Sequence, residues 1–217
     1  SSVVAIGSPL SSVEDNFTLK TVANRVLGQG QVFGYDVVPD GDSDDFLIKA
    51  DKTPNRTGVR WLGLETDRAA QLAAIKGAKL VLLMNNNLAA DPEFAQALKA
   101  VPTVVYLASH VDETVPLAHF VFPVASHAEK YGTFVNYQGR VQKFYQSFEA
   151  PGDTVAEMEF LSRLGKTLDA GFGYDDVEEI WVDMRKTHEE LAPVASWYSL
   201  SDEGFQLPSL APKPAEV

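Results

Sequence analysis

The 217-residue chain contains no cysteine. Within this chain that excludes disulfides, iron–sulfur clusters and thiolate zinc sites, all of which need cysteine sulfur, and it removes cysteine usage as a guide to compartment. Positive charge is scarce: 18 Lys and Arg stand against 30 Asp and Glu, a formal net charge of −12. Nucleic acid and anionic lipid both reward concentrated positive charge, so neither is an expected partner. An acidic surface mainly favours solubility and suits a basic partner. Long apolar runs are missing too. None approaches the roughly 20 residues that span a bilayer, and the start "SSVVAIGSPL" lacks the charged and apolar regions of a signal peptide. The expectation is a soluble, non-secreted protein without a direct membrane span. The chain opens on Ser1 and almost at once enters the apolar run Val3 to Ile6, which fits removal of an initiator Met or a segment cut from a longer polypeptide.

What is present is a globular composition, 45% hydrophobic, ample for a packed core. "VVAIG" reads as a short buried strand, and Ser12 with Asp15 three positions on fits a capping box. Leu19, Val22, Ala23, Val26 and Leu27 follow at helical spacing up to Gly28. Residues 29 to 66, rich in Gly, Asp, Pro and Asn, read as one long, partly irregular excursion, either functional or packed on a partner. Asp67 then caps a helix that Gly77 ends, and "KLVLLM" (79 to 84) is a buried strand. Asp91 with Pro92 opens the next helix, followed by "TVVYLA" (103 to 108) and by "HFVFPV" (119 to 124), a further apolar strand. This alternation predicts an α/β fold, a mostly parallel sheet with helices on both faces, followed by C-terminal helices.

Beyond Pro123 the pattern changes. "TFVN" and "RVQKFYQSF" flank "YQG" as extended segments about a tight turn. Asp153 is expected to begin a helix bearing Phe160, Leu161, Leu164 and Leu168, and Asp175 with Glu178 to cap another that buries Val177, Ile180, Trp181, Met184 and Leu191. The organisation expected is an α/β region over 1–150, a helical C-terminal part of the same domain over 151–192, and a Pro-rich tail over 193–217. The final "LPSLAPKPAEV" of that tail is expected to be loosely held.

Candidate chemistry is sparse. His110, His119, His127 and His188 form no HxxxH or HExxH pair, so surface or polar-network roles are expected of them and no metal site. "GQGQVFG" (28 to 34) follows a helix and does not match GxGxxG, which disfavours dinucleotide binding. "IGSPLSS" (6 to 12) joins a strand to a helix, and a simple helix cap is favoured there over an anion cradle. "DGDSDD" (40 to 45) lacks the glycine and the terminal Glu of an EF-hand and reads as a solvated turn. "NNN" (85 to 87) lies where a parallel sheet presents its ligand-facing edge, yet Asn is also an ordinary turn residue, and the two readings stay even. No GxSxG elbow occurs. The densest polar stretch is "HAEKYGTFVNYQGRVQ" (127 to 142), as an active-site loop would be.

That stretch and its flanks, "AHFVFPVASHAEKYGTFVNYQGRVQ", resemble the segment of molybdopterin-dependent oxidoreductases that runs through Glu-Lys-x-Gly-Thr-Phe-x-Asn to Gly-Arg-x-Gln. The match falls on Ala118, Pro123, Ala128, Glu129, Lys130, Gly132, Thr133, Phe134, Asn136, Gly139, Arg140, Val141 and Gln142. "KADKTPNRTGVRWLGL" (49 to 64) resembles a second block, at Ala50, Asp51, Pro54, Asn55, Gly58, Leu62 and Gly63, especially as it stands in the large peripheral-arm component of respiratory complex I. The first strand and helix are similar as well, so the resemblance covers residues 1 to about 168. His119 and Gln138 replace an Asp and a Glu of the family pattern, and the chain looks like a C-terminal fragment or a split subunit.

The resemblance implies a formate dehydrogenase/molybdopterin-oxidoreductase-like domain that gives structural mass to the peripheral arm of a proton-pumping NADH–quinone oxidoreductase. Electron transfer would be carried by other parts, without turnover by this chain alone. It implies no cofactor in this chain, iron–sulfur clusters elsewhere in the full subunit, partner subunits or a missing N-terminal region, and a place at the cytoplasmic side of the inner membrane. The alternative it leaves is part of a formate-dehydrogenase-like molybdoenzyme whose Glu129, Lys130, Gly132, Thr133, Asn136 and Arg140 line a pterin pocket. In that case Lys130 and Arg140 would neutralise phosphate, and Thr133 and Asn136 would hydrogen-bond the heterocycle. Against it stands a turn in which Glu129 and Arg140 pair with each other or with backbone.

Overall fold

A computed structural model describes residues 3–28, 31–169 and 171–211. The first strand, β1 (Val3–Ile6), is buried on both faces: Val4 and Ile6 enter one core and Ala5 the other. Helix α1 (Val13–Arg25) starts at the expected capping box, with Ser12 Oγ accepting from Asp15 N–H at 3.0 Å and the Asp15 carboxylate accepting from Ser12 N–H at 2.9 Å. The region expected as one irregular excursion contains two elements, β2 (Gln31–Phe33) and α2 (Arg56–Trp61). A three-residue strand is too short to show alternation, and β2 is fixed by parallel pairing of Gln31, Val32 and Phe33 with Val4, Ala5 and Ile6. Gln29 and Gly30 of the glycine-rich loop lie outside the described residues.

The remaining βα units follow the expected order. Helix α3 (Arg68–Lys76) is capped by Asp67, strand β3 (Leu80–Met84) follows, and α4 (Pro92–Lys99), capped by Asp91, leads to β4 (Thr103–Ala108) and β5 (Phe120–Pro123). The sheet order is β2-β1-β3-β4-β5 with every neighbouring pair parallel. On one face Leu72, Ile75, Phe94 and Leu98 cover Val81, Leu83 and Val104. On the other, Leu19, Val22 and Leu161 cover Ala5, Leu82 and Leu107. The chain is therefore an α/β domain with both faces covered. Strand β5 is apolar yet lies at the sheet edge, with Phe120, Val121 and Phe122 exposed.

An antiparallel hairpin, β6 (Gly132–Val135) and β7 (Arg140–Phe144), forms about the "YQG" turn. Gly139 there has φ +79°, and a Cβ would meet Leu210 Cβ at 2.3 Å. Helix α5 (Glu157–Leu168) begins four residues after the expected Asp153, because Val155 is held extended in a bridge to Val124. Helix α6 (Val177–Thr187) is capped by Asp176, one residue past the expected position: Asp176 accepts from Glu179 N–H at 3.0 Å, and the Glu179 carboxylate accepts from Asp175 N–H at 2.8 Å. Leu191 is buried as expected, but in the 3₁₀ turn Glu189–Leu191 after that helix. The stretch expected as a tail starts packed. Val194, Trp197, Leu200 and Leu207 are buried, and β8 (Phe205–Gln206) adds a third strand to the hairpin. Apolar anchors, not proline content, decide its course; residues 212–217 lie outside the described residues.

Candidate functional site: a buried polar network at the carboxyl edge of the sheet

In an open parallel sheet the carboxyl ends of the strands, above all where the strand order reverses, form the usual ligand crevice. Here that point lies between β1 and β3. Side chains bridge much of the crevice and leave a small pocket lined by Ser8, Asn85 and Asn86. Ser8 Oγ donates to the Asn85 carbonyl at 2.5 Å, and Asn86 Nδ2 donates to the carbonyls of Gly7 at 3.0 Å and Tyr35 at 2.8 Å. Asn85 has φ +38°, a left-handed conformation that Asn tolerates better than most residues. The Asn run thus lies at the ligand-facing edge, with the Asn85 and Asn86 side chains bound to other parts of the chain.

Beside this point the first turns of α1 and α5 bring three acids together, Glu14, Asp15 and Glu157, each fully buried. Helix N-termini favour negative charge, which eases the cost of burying them there. Lys130, only 4% exposed, lies between two of them: its ammonium donates to Asp15 Oδ2 at 2.7 Å and to Glu157 Oε2. Asp15 also accepts from Ser12 Oγ at 2.7 Å and from Met158 N–H at 2.9 Å, so a residue of α1 caps α5. Glu157 Oε1 accepts from Ser11 Oγ at 2.9 Å and Asn85 Nδ2 at 2.6 Å. Glu14 accepts from Thr133 N–H and Oγ–H, both at 2.8 Å, and from Trp181 Nε1–H at 2.9 Å.

The charges settle accordingly. Burial penalises the Lys130 ammonium, but Asp15 and Glu157 outweigh it and hold its pKa above the ordinary lysine value. Burial also opposes ionisation of Asp15, yet Lys130 and Ser12 hold its carboxyl below the usual range. Glu157 is pushed up by burial and by the Asp15 charge beside it, against the pull of Lys130. Glu14 is pushed up by burial, against Trp181 and Thr133. The Lys130 ammonium is thus held on both sides by carboxylates of the fold.

The six candidate residues divide. Lys130, Gly132 and Thr133 face this interior; a Cβ on Gly132 would meet Ser12 Cβ at 2.8 Å. Glu129 closes its own turn by accepting from Ser126 N–H at 2.8 Å. Asn136 shapes the hairpin turn, its Oδ1 accepting from Gln138 N–H and Arg140 N–H, and Arg140 Nη1 donates to the Glu203 carbonyl at 3.2 Å. Glu129 and Arg140 thus engage backbone and not each other. Asn55 of the second motif block joins the network, with Nδ2 donating to the Ser11 carbonyl at 2.9 Å and Oδ1 accepting from Val135 N–H at 2.9 Å. Sequence reasoning misses Glu14, Asp15 and Glu157 as members of one cluster; the only local signal is the capping box.

Several cavities adjoin the network, one of about 380 Å³ lined in part by Glu129, Lys130 and Met158, and another on the sheet's carboxyl side. The latter has a volume of about 510 Å³, lies at the ends of β3 and β4, and is lined in part by Asn85, Ser109, His110, His127 and Lys130.

The sequence model of the molybdopterin oxidoreductase family matches residues 51–167, just over half of the chain. An F420-dependent formate dehydrogenase 2 subunit alpha of Methanococcus maripaludis is 29% identical over 159 residues, 71% of this chain and 23% of that protein. An F420-dependent formate dehydrogenase subunit alpha of Methanocaldococcus jannaschii is 30% identical over 141 residues, 62% of this chain and 21% of its own length. A subunit of the NADH-quinone oxidoreductase of Pseudomonas putida is 40% identical over 99 residues, 44% of this chain and 11% of that protein. The chain thus spans between about a tenth and a quarter of the curated relatives named here.

Proposed function

The chain belongs to the molybdopterin oxidoreductase family, and from that premise we propose that it is a structural domain of a multi-subunit oxidoreductase of the NADH–quinone type. In this reading it binds no pterin and supports electron transfer carried by other parts of the assembly. The observation that carries the reading is the commitment of Lys130. The cation of the motif loop is buried between Asp15 and Glu157, and releasing it to a ligand phosphate would strand two buried carboxylates, at a cost of roughly 3–5 kcal/mol. Other motif residues, Asn55, Gly132 and Thr133, join the same interior, so the family pattern here is accounted for by folding. Kinship with relatives named as subunits supports a place among partner subunits. The position at the cytoplasmic side of the inner membrane belongs to the same proposal; among the described residues no helix is long and apolar enough to cross a membrane.

A second reading, part of the pterin-binding region of a formate-dehydrogenase-like molybdoenzyme, draws support from the cavity of about 510 Å³ beside Asn85, His110 and His127. In that case the pterin and its metal would supply the redox chemistry, and this chain would contribute only binding and orientation. Metal and pterin analysis of the native assembly separates the two. Molybdenum and tungsten far below one per chain, with no oxidised-pterin fluorescence after acid extraction, is the expected result; one metal and one pterin site per chain would overturn the structural reading.

A further inference from the structure

Between β2 and α2 the chain makes a loop whose two ends are held by one side chain. Arg56 bonds Asp36 and Asp40 at 2.9 Å on one side and Asp51 at 2.7 Å on the other. Further out, Gly41 N–H donates to the Ala50 carbonyl at 2.9 Å, and the Lys52 ammonium bridges to the Asp42 carbonyl at 2.7 Å. At the tip, Asp44 Oδ1 accepts from the N–H groups of Phe46, Leu47 and Ile48 at 2.9, 2.6 and 2.7 Å, and Asp44 N–H donates to the Ile48 carbonyl at 2.9 Å.

This braced tip displays Phe46, Leu47 and Ile48, which are 90%, 75% and 49% exposed and belong to none of the three hydrophobic cores. Single exposed apolar residues are ordinary, but three in succession on a turn held by its own hydrogen bonds form a contiguous patch of the kind that marks an interaction site. Ordering the turn in advance lowers the entropic cost of docking it. The surrounding charge narrows the partner. Asp42 and Asp45 are exposed and enter no ion pair among the described residues. Of the nearby cations, Lys52 is turned to backbone carbonyls and Lys49 lies over the Tyr137 ring, 5.4 Å from its centroid. With Asp42, Asp44 and Asp45 against Lys49 and Lys52, the collar of the apolar tip is acidic on balance.

We propose that the Phe46–Ile48 tip is a docking knob that seats in an apolar cleft of another protein, a cleft rimmed by Lys or Arg facing Asp42 and Asp45. The collar disfavours anionic lipid, and a second copy of this chain would bring a like charge of −12 against the first. The proposal goes beyond the assigned domain role and holds under either reading of it.

The test places a photoreactive benzoylphenylalanine at Leu47 of the tagged chain in its native assembly and sequences the cross-linked peptides after irradiation. The expected adduct lies on a different polypeptide, in a segment where apolar residues adjoin Lys or Arg. Phe46→Ser with Ile48→Ser should lower the adduct yield at least tenfold with the urea midpoint unchanged. Asp42→Lys with Asp45→Lys should lower it at least threefold, more strongly at low salt. Adducts to this chain itself, to lipid, or to a segment without basic residues would overturn the proposal. So would the absence of any adduct once the probe is consumed.

Discussion

At the scale of single residues the fold turns on one ammonium group held between buried carboxylates. Removing one partner of a buried ion pair costs about 3–5 kcal/mol, because the other charge is left uncompensated. Lys130→Met is therefore expected to lower the unfolding free energy by about that amount, read from urea midpoints at pH 7. Glu157→Gln should cost less, since it leaves the Lys130–Asp15 pair intact and removes the carboxylate that Asp15 repels. The pH dependence has a definite sign. Glu157 has a raised folded pKa, so the folded state holds the proton more tightly and this group's contribution falls as pH rises from its ordinary value of 4.5 toward the folded value. In Glu157→Gln that downward component should vanish from stability measured between pH 4.5 and 7. On the alkaline side Lys130 is raised, and Tyr174 is pushed up to about 12, chiefly by burial. Both groups keep their protons in the fold while the unfolded chain loses them, so stability should fall as pH rises above about 10, and less steeply in Lys130→Met. The capping pair Ser12 and Asp15 was legible because both partners lie within one turn of a helix. The link from Asp15 to Lys130 joins positions 115 residues apart, and no local pattern encodes it.

At the scale of elements, what repeats locally was readable and what depends on a distant partner was not. The strands β1, β3 and β4 and the caps at Asp67 and Asp91 follow from apolar runs and N-cap chemistry. Local sequence puts the start of α5 too early because Val155 pairs with Val124, and it gives the segment after residue 193 the look of a tail because its anchors, Trp197, Leu200 and Leu207, are widely spaced. Their packing has a consequence for the hairpin. Gly139 lies at φ +79° against Leu210, so Gly139→Ala should cost roughly 2 kcal/mol or more, from the left-handed backbone and the displaced Leu210 together. Ending the chain at residue 204 removes β8 and Leu207 and should destabilise the hairpin comparably; hydrogen exchange of the β6 and β7 amides is the readout.

In the molecule as a whole, a family motif, a doubly covered parallel sheet and a carboxyl edge bridged by the protein's own polar groups form one arrangement. The fold class was legible from alternating strands and helices, and the family from three blocks in order. The partners that the motif residues bond were not, since they depend on which way Lys130 and Thr133 point once α1 and α5 are packed. If the buried charges hold the edge together and take no part in turnover, removing all of them should be milder than removing one. The deciding comparison is the variant D15N/K130M/E157Q, which removes all three charges at once, against Lys130→Met alone in the native assembly. Replacing every member of a buried ionic group is far better tolerated than orphaning one. The triple variant is expected to regain at least half of the stability lost in the single one and to support undiminished electron transfer per assembled complex. Recovered stability and assembly with turnover lowered tenfold or more would contradict a purely structural role for these charges.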